Sequence, residues 1–376
     1  MNLILPWIKW LERKEWKMLN KFLGCATFFI GLGIAEAQES KDSLQSKLTF
    51  GGYVESYYTY DFNKPEDHKR SGFIYSHHRT NELSVNLAMI KANYSNSRVR
   101  SNLALAVGSY MNANYAAEEG VWKNVYEANL GYKLLENHEL WIDAGVLPSH
   151  IGGESAIGLD NISLSRSLSA ENSPYFETGA RLSYTTDNGK FYLAALVLNG
   201  WQRIQLPNSS KGMSLGHQIQ YKPNESIVLN SSSYYGDEGT GSTRFFHDLY
   251  VQVNINSKFN LLANWDYGVQ KQPLISENFN WWNAGLQANY LFHPKLKGNA
   301  RLEYFNDEDG VIFGRFDNLG TNILGYSLGI DVDLYQRLMW RTEFRGLNST
   351  ENIFTDRKSE SYDKSYTVST AIGWKF

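Results

Sequence analysis

The 376-residue chain has one cysteine, eight prolines and a net charge of only −3. Each scarcity excludes something. A single cysteine forms no internal disulfide, so no disulfide framework holds the fold. The 14% of residues that are aromatic is far above what disordered chains carry. A near-neutral balance gives no electrostatic footprint for nucleic acid. Beyond the N-terminal leader, no apolar run approaches the roughly 18 residues of a membrane-spanning helix. No nucleotide-binding loop or cofactor motif is visible, so the sequence implies no cofactor.

Aromatic residues and glycine are abundant: 11 Trp, 24 Tyr, 19 Phe and 31 Gly, the composition of strands joined by turns. The N-terminus reads as an export signal. Lys21 precedes an apolar run from Phe22 to Ile34, and small Ala35 and Ala37 flank Glu36, so cleavage is expected before Gln38. Residues 1–17 are then a long basic n-region or an unused upstream start. The leader, 1–37, carries five basic and three acidic residues, so its removal takes the charge from −3 to −5. It also removes Cys25, the only cysteine.

In the mature part, 38–376, side chains alternate with a period of two. Tyr366, Val368, Thr370, Ile372, Trp374 and Phe376 form one row; Thr367, Ser369, Ala371, Gly373 and Lys375 form the other. Leu324, Tyr326, Leu328, Ile330, Val332 and Leu334 likewise oppose Ser327, Gly329, Asp331 and Asp333. One strand of this kind fits a soluble sandwich or a membrane barrel equally well. The connections separate the two. About sixteen strands are expected, near 48–60, 81–94, 98–110, 124–134, 140–147, 175–186, 190–200, 214–222, 226–236, 245–256, 259–269, 281–292, 297–306, 323–334, 338–348 and 366–376. Short turns such as 95–97, 187–189, 223–225 and 335–337 alternate with long polar connections at 61–80, 111–123, 148–174, 307–322 and 349–365. Short periplasmic turns and long external loops are the asymmetry of outer-membrane barrels.

The polar rows also suit a wet interior. Arg100, Glu127, Asp143, Glu177, Arg181, Asp266, Arg301, Glu303, Asp331, Glu343 and Arg345 all oppose apolar rows. A charge facing hydrocarbon at the bilayer midplane costs about 2–4 kcal/mol, which explains why the apolar rows avoid them. Lys91 reads as an outward exception, near enough to a turn to reach headgroups. Tyr58, Tyr60, Tyr94, Tyr132, Tyr184, Tyr221, Phe259, Tyr290, Phe292 and Tyr304 lie towards strand ends, where interfacial belts form. The fold expected is therefore all-β, a transmembrane antiparallel up-and-down barrel of about sixteen strands. A barrel of that size holds an aqueous channel. The partners expected are outer-membrane lipid and small hydrophilic solutes, with no nucleic acid.

The stretches YVESYYTYDFNKP (53–65), NLALAVGSY (102–110), VYEANLGYKL (125–134), WIDAGVLPSHIGGESAIG (141–158), residues 168–205 and RLEYFNDEDGVI (301–312) resemble the OmpL-like beta-barrel porin family. The resemblance spans the mature chain and implies a porin in the outer membrane of a Gram-negative bacterium. The terminal Phe376 resembles the C-terminal signal by which the barrel assembly machinery takes up such proteins. In general porins the third external loop narrows the channel, and 148–174 is the third and longest long connection here. Glu154, Asp160, Arg166 and Glu171 on it, with wall residues Arg100, Arg181, Arg301, Arg341 and Arg345, are the candidate constriction. Opposed charges across a narrow aperture would orient water and favour polar solutes. The other reading is that these charges pair and fix the loop. Analogy with general porins implies a trimer, and a monomer is equally compatible with the sequence.

An outer-membrane hydrolase and a surface-binding barrel are the rivals. Gly153-Glu154-Ser155-Ala156-Ile157 lacks the final glycine of a nucleophile elbow and sits in a loop. His77-His78 followed by Glu82 could suggest a metal, but neighbouring residues on a strand point to opposite faces, and two histidines without a third close ligand read as loop residues. Asp61, Glu66 and Asp67 surround Pro65 without the glycine spacing of a calcium loop. Neither a catalytic nor a metal site is expected, and the chain reads as a passive channel rather than an enzyme.

Overall fold

The computed structural model describes residues 46–237, 241–271, 277–316 and 319–376. The expected leader, 1–37, lies outside the described residues. Strands form where the alternation is strict: β1 (Lys47–Asp61), β2 (Leu83–Ser95), β3 (Val99–Val107), β4 (Val125–Lys133), β5 (Glu139–Pro148), β6 (Phe176–Thr185), β7 (Phe191–Leu198), β8 (Ser214–Asn224), β9 (Ile227–Asp237), β10 (Thr243–Asn254), β11 (Phe259–Lys271), β12 (Asn278–His293), β13 (Leu296–Asp307), β14 (Thr321–Tyr335) and β15 (Leu338–Ser349). The two-residue strands β16 (Phe354–Thr355) and β17 (Ser361–Tyr362) pair within the last long loop, before β18 (Lys364–Lys375).

Fifteen strands and β18 close a barrel in which every strand pairs with its sequence neighbours and β18 pairs with both β15 and β1. All pairings are antiparallel, as in Val54 opposite Trp374 and Tyr60 opposite Val368 across the closure. The seam ends in two reciprocal bonds, Gly52 N–H to the Phe376 carbonyl at 2.9 Å and Phe376 N–H to the Gly52 carbonyl at 3.0 Å. The Phe376 ring lies where a Cβ on residue 52 would have to stand, so this close approach requires glycine. This is the sixteen-stranded up-and-down barrel that the alternation implies.

The two rows of each strand have opposite surroundings. Leu324, Leu328 and Ile330 are exposed on β14 while Ser327 and Asp331 are buried; on β18, Ile372 and Trp374 are exposed while Ser369 and Ala371 are buried. Rows of exposed leucine, isoleucine and tryptophan around a whole barrel are stable only against hydrocarbon.

Three features depart from the simple alternation. First, β3 stops at Val107, because Gly108 takes φ 133° and the chain turns into a short helix α1 (Ser109–Asn114) whose Tyr110 and Met111 are buried. A Cβ at residue 108 would collide with the Asn86 carbonyl oxygen. Second, the register of β1 and β2 shifts between Glu55 and Ser56, leaving Asn86 as an extra residue. Such a bulge exchanges the two faces of a strand. Lys91 therefore turns inward and pairs with Glu127 at 2.8 Å, instead of reaching outward to headgroups. Third, the interior is partly apolar. Ala194, Leu196 and Leu198 of β7 face inward and join Phe246, Trp281, Phe305, Ile323 and Leu347 in one cluster with Phe73, Phe313 and Phe354 from the loops. A second cluster joins Leu87, Met89, Tyr110, Tyr115, Phe176 and Ile204. These side chains sit near the strand ends that carry the long loops. Burying each one contributes about 1.5–3 kcal/mol, so the loops fold down onto the inner rim instead of waving in solvent.

Candidate functional site

The connection from β5 to β6, residues 149–175, runs inside the barrel. Its first anchor is His150, whose Nδ1 lies 2.7 Å from Glu177 Oε2 and whose Nε2 lies 2.8 Å from the Ser233 carbonyl. Both partners are acceptors, so the ring is held as an imidazolium. Burial opposes that charge, but the carboxylate and hydrogen bonds of Glu177 outweigh it and His150 is raised above its ordinary value.

The loop then crosses to the opposite wall. Arg341 Nη1 donates to the Gly158 carbonyl at 2.7 Å and Nη2 to the Ile162 carbonyl at 2.8 Å. Asp160 pairs with Lys375 at 2.7 Å. Arg301 donates to the Ser165 carbonyl at 2.6 Å and to its hydroxyl at 2.9 Å. The Ser165 amide bonds to Glu343 and the Leu168 amide to Glu303, each at 2.6 Å. Ser169 donates its hydroxyl to Asp266. A short helix α2 (Leu168–Glu171), capped by the Ser167 hydroxyl, ends this stretch. Glu171 then receives the amides of Tyr75 at 2.9 Å and Ser76 at 3.1 Å from the first loop. Burial drives Glu171 above its ordinary value despite nearby Arg166. Arg166 itself is wholly buried, donating to the carbonyls of Ser155 and Ala156.

The candidate residues thus fall into two groups. Arg301 and Arg341 hold the loop and Arg345 stands beside them, but their carboxylate partners come from the wall. Arg341 bonds Asp331 at 2.8 Å, directly opposite it in register, Arg345 bonds Glu303 at 2.7 Å, and Arg301 bonds Glu343 at 3.1 Å. The acids of the loop turn elsewhere: Glu154 to Ser167, Asp160 to Lys375, Glu171 to the first loop. A buried guanidinium takes the nearest carboxylate, and on adjacent strands that partner is already within reach.

Arg100 and Arg181 lie away from the loop contacts. Both bond Asp143, Arg100 through two bonds of 2.7 and 2.6 Å and Arg181 at 3.3 Å. The Arg100 guanidinium also stacks on Trp141, 4.3 Å from the ring centre. These side chains keep contact with solvent: Arg100 is 33% exposed, Lys91 27% and Arg181 19%. Arg301, Arg341 and Arg345 are at most 2% exposed.

Pattern reasoning missed one internal polar cluster. Glu55 receives Tyr53 at 2.6 Å, His77 at 2.9 Å and Asn86 at 2.7 Å, all buried. The only sequence signal is Glu55 on an inward row; its partners depend on the bulge and on a loop that folds inward. His77 thus serves a buried hydrogen bond to Glu55, and its neighbour His78 bonds the Ile74 carbonyl at 2.7 Å. Among the described residues no group of three or more His, Cys, Asp or Glu is placed to hold a metal.

A closed sixteen-stranded barrel with outward apolar rows and a loop inside matches known proteins in one specific way. The family model described as "Putative beta-barrel porin-2, OmpL-like" matches residues 47–376. The chain belongs to that family. It is an outer-membrane porin of the Gram-negative type. The solved structures it resembles include the anion-selective porin from Comamonas acidovorans, with 11% identity, a TM-score of 0.60 and cover of 88% of this chain and 100% of that one. The outer membrane channel DcaP of Acinetobacter baumannii follows at 10% identity and TM-score 0.59, covering 91% and 100%. The Salmonella typhi OmpF structure shares 12% identity at TM-score 0.58, covering 90% and 99%. At such identities the likeness is one of fold. No curated protein matches the chain.

Proposed function

We propose that this porin lets small hydrophilic solutes and ions diffuse passively, and that loop 149–175 narrows their path. The loop's position carries the reading: it leaves β5, reaches Lys375 on β18 and returns to β6, bonded to side chains of five wall strands, β6, β11, β13, β15 and β18. The half-exposed wall of β2 to β6, with Lys91, Arg100 and Arg181, supplies the charges that a passing solute meets. Deleting 155–169 should raise single-channel conductance in a planar bilayer. Unchanged conductance would remove the loop from the reading.

The chain acts without catalysis on this reading. The Ser155 hydroxyl accepts the Ile157 amide at 3.0 Å and serves the loop's own turn rather than a nucleophile's geometry. Each chain closes a barrel by itself, so an oligomer would repeat the channel rather than build it. Removal of 1–37 and uptake by the assembly machinery through Phe376 belong to the same proposal. The mass of the mature protein tests the first. The yield of folded barrel after deletion of Phe376 tests the second.

A further inference from the structure

On the long-loop side the barrel holds a cavity of about 390 Å³ between the loop after β1, the loop after β13 and the loop after β15. Ligand pockets span about 300–1,000 Å³, so a small solute fits. The charged lining is Asp67, Lys69 and Arg70. Asp67 and Lys69 are exposed and pair with each other at 3.6 Å, which leaves Arg70 as the buried charge. Arg70 is 7% exposed. None of its side-chain N–H groups has a hydrogen-bond partner among the described residues, and Nη1 is buried. Arg301, Arg341 and Arg345, by contrast, each bond a carboxylate. Asp61, Glu171 and Glu343 attract Arg70 only through space, and Arg345 repels it. Burial and Arg345 hold its pKa down to about 10, so it stays charged in neutral solution. Arg345 also keeps Nε and Nη1 buried without partners. A buried guanidinium in this condition has given up its hydration and received no bonded counter-charge. Water in the cavity can accept a hydrogen bond but cancels no charge.

The walls are fixed in advance. The Arg70 amide bonds the His78 carbonyl at 2.9 Å, and the Ile74 amide closes a turn on the Ser71 carbonyl at 2.9 Å. The amides of Ile312 and Phe313 bond the Asp307 carboxylate at 2.8 and 2.7 Å. The rings of Phe73 and Phe313 meet with centres 4.6 Å apart, joining the first loop to the loop after β13. Between them the cavity stays open at Gly72, where a Cβ would meet nothing within 4 Å. Bonding of this kind sets Arg70, Phe73, Ile312 and Phe313 before any ligand arrives.

We propose that this cavity binds a small solute bearing one carboxylate on an apolar body, with Arg70 as its counter-charge. The carboxylate meets the Arg70 guanidinium, whose planar fork matches it, while the body lies against Phe73, Ile312 and Phe313. The lining carries two positive charges and one negative, so a single negative charge on the ligand balances it. The proposal adds a solute class to the channel reading and rests on that reading for the solute's onward path. Binding is measured without current, so the two fail separately.

Calorimetric titration of the detergent-solubilised protein with benzoate should give saturable heat at neutral pH. Benzylammonium, similar in size and opposite in charge, should give none. R70Q should raise the half-saturating benzoate concentration about tenfold, the effect of losing one charge-assisted hydrogen bond. K64Q, on the same loop but outside the cavity, should keep the wild-type value. Arg70 fastens no other described residue, so R70Q should unfold no earlier than the wild type in ligand-free buffer. Benzoate should then raise the unfolding temperature of the wild type more than that of R70Q. Absence of saturable heat with benzoate, equal heat with benzylammonium, or equal values in R70Q and K64Q would overturn the proposal. So would R70Q unfolding well below the wild type, which would make Arg70 a fastening. If the protein binds benzoate through Arg70 but gives no conductance steps in KCl, the channel reading fails and the site stands.

Discussion

Two walls of this barrel carry the same kinds of residue and use them differently. On β13 and β15, Arg301, Arg341 and Arg345 lie under the loop with their carboxylates and exclude water. On β3 and β6, Arg100 and Arg181 share Asp143 and stay partly wet. Each of the five is an inward arginine on an alternating strand, so row position does not separate a fastening from a lining. Burial does. In a dry site a guanidinium depends on its carboxylate, and removing one partner leaves the other stranded. In a wet site, water completes what the protein leaves open.

The comparison breaks most visibly under Arg301→Met. That change strands Glu343 and frees Ser165, and should cost about 3–5 kcal/mol, read as a lower unfolding temperature in detergent together with higher conductance. Should Arg301→Met unfold like the wild type, the covered wall would be no fastening. Arg100→Met should cost only about 1 kcal/mol, because Arg181 and water remain for Asp143, yet shift the reversal potential in a salt gradient towards cations. A large stability loss without that shift would make the two walls alike.

Acidity sharpens the same contrast. His150 and Glu171 both bind a proton more tightly with the loop in place, so docking gains as pH falls through their raised values and weakens as pH rises through them. The His150 contribution is complete below the ordinary imidazole value of 6.5, and that of Glu171 below the ordinary carboxyl value of 4.5. Conductance should therefore increase from acid to alkaline solution. His150→Gln should flatten the rise at its alkaline end and Glu171→Gln at its acidic end; a slope of opposite sign would refute the docking account. The smallest effect is expected for Lys375→Gln. Its pair with Asp160 is over one-third exposed on both sides, and its loss should change stability by less than about 1 kcal/mol.

The barrel was legible because its solvent imposes a period. Leu324 to Leu334 face lipid at every second residue, and no tertiary contact is needed to read that. Legibility fails where a local event changes the period. The extra residue at Asn86 reverses Lys91, and a pattern reader counting by twos places it on the wrong face. On β7, Leu193 and Val197 face out while Ala194, Leu196 and Leu198 face in, so hydrophobicity carries no alternation at all. Helix α1 was hidden because 102–110 keeps its apolar character through Val107, and only Gly108 marks the stop. The loop's length and position pointed to the interior, but its partners did not follow. They are set by which carboxylate stands nearest each arginine in three dimensions.

The bonds between Gly52 and Phe376 lie at one end of the seam where β18 joins β1 and closes the sheet. Until β18 is in place, the facing edges of β1 and β15 offer unpaired amides and carbonyls to any neighbouring polypeptide, so the lack of one strand would expose two.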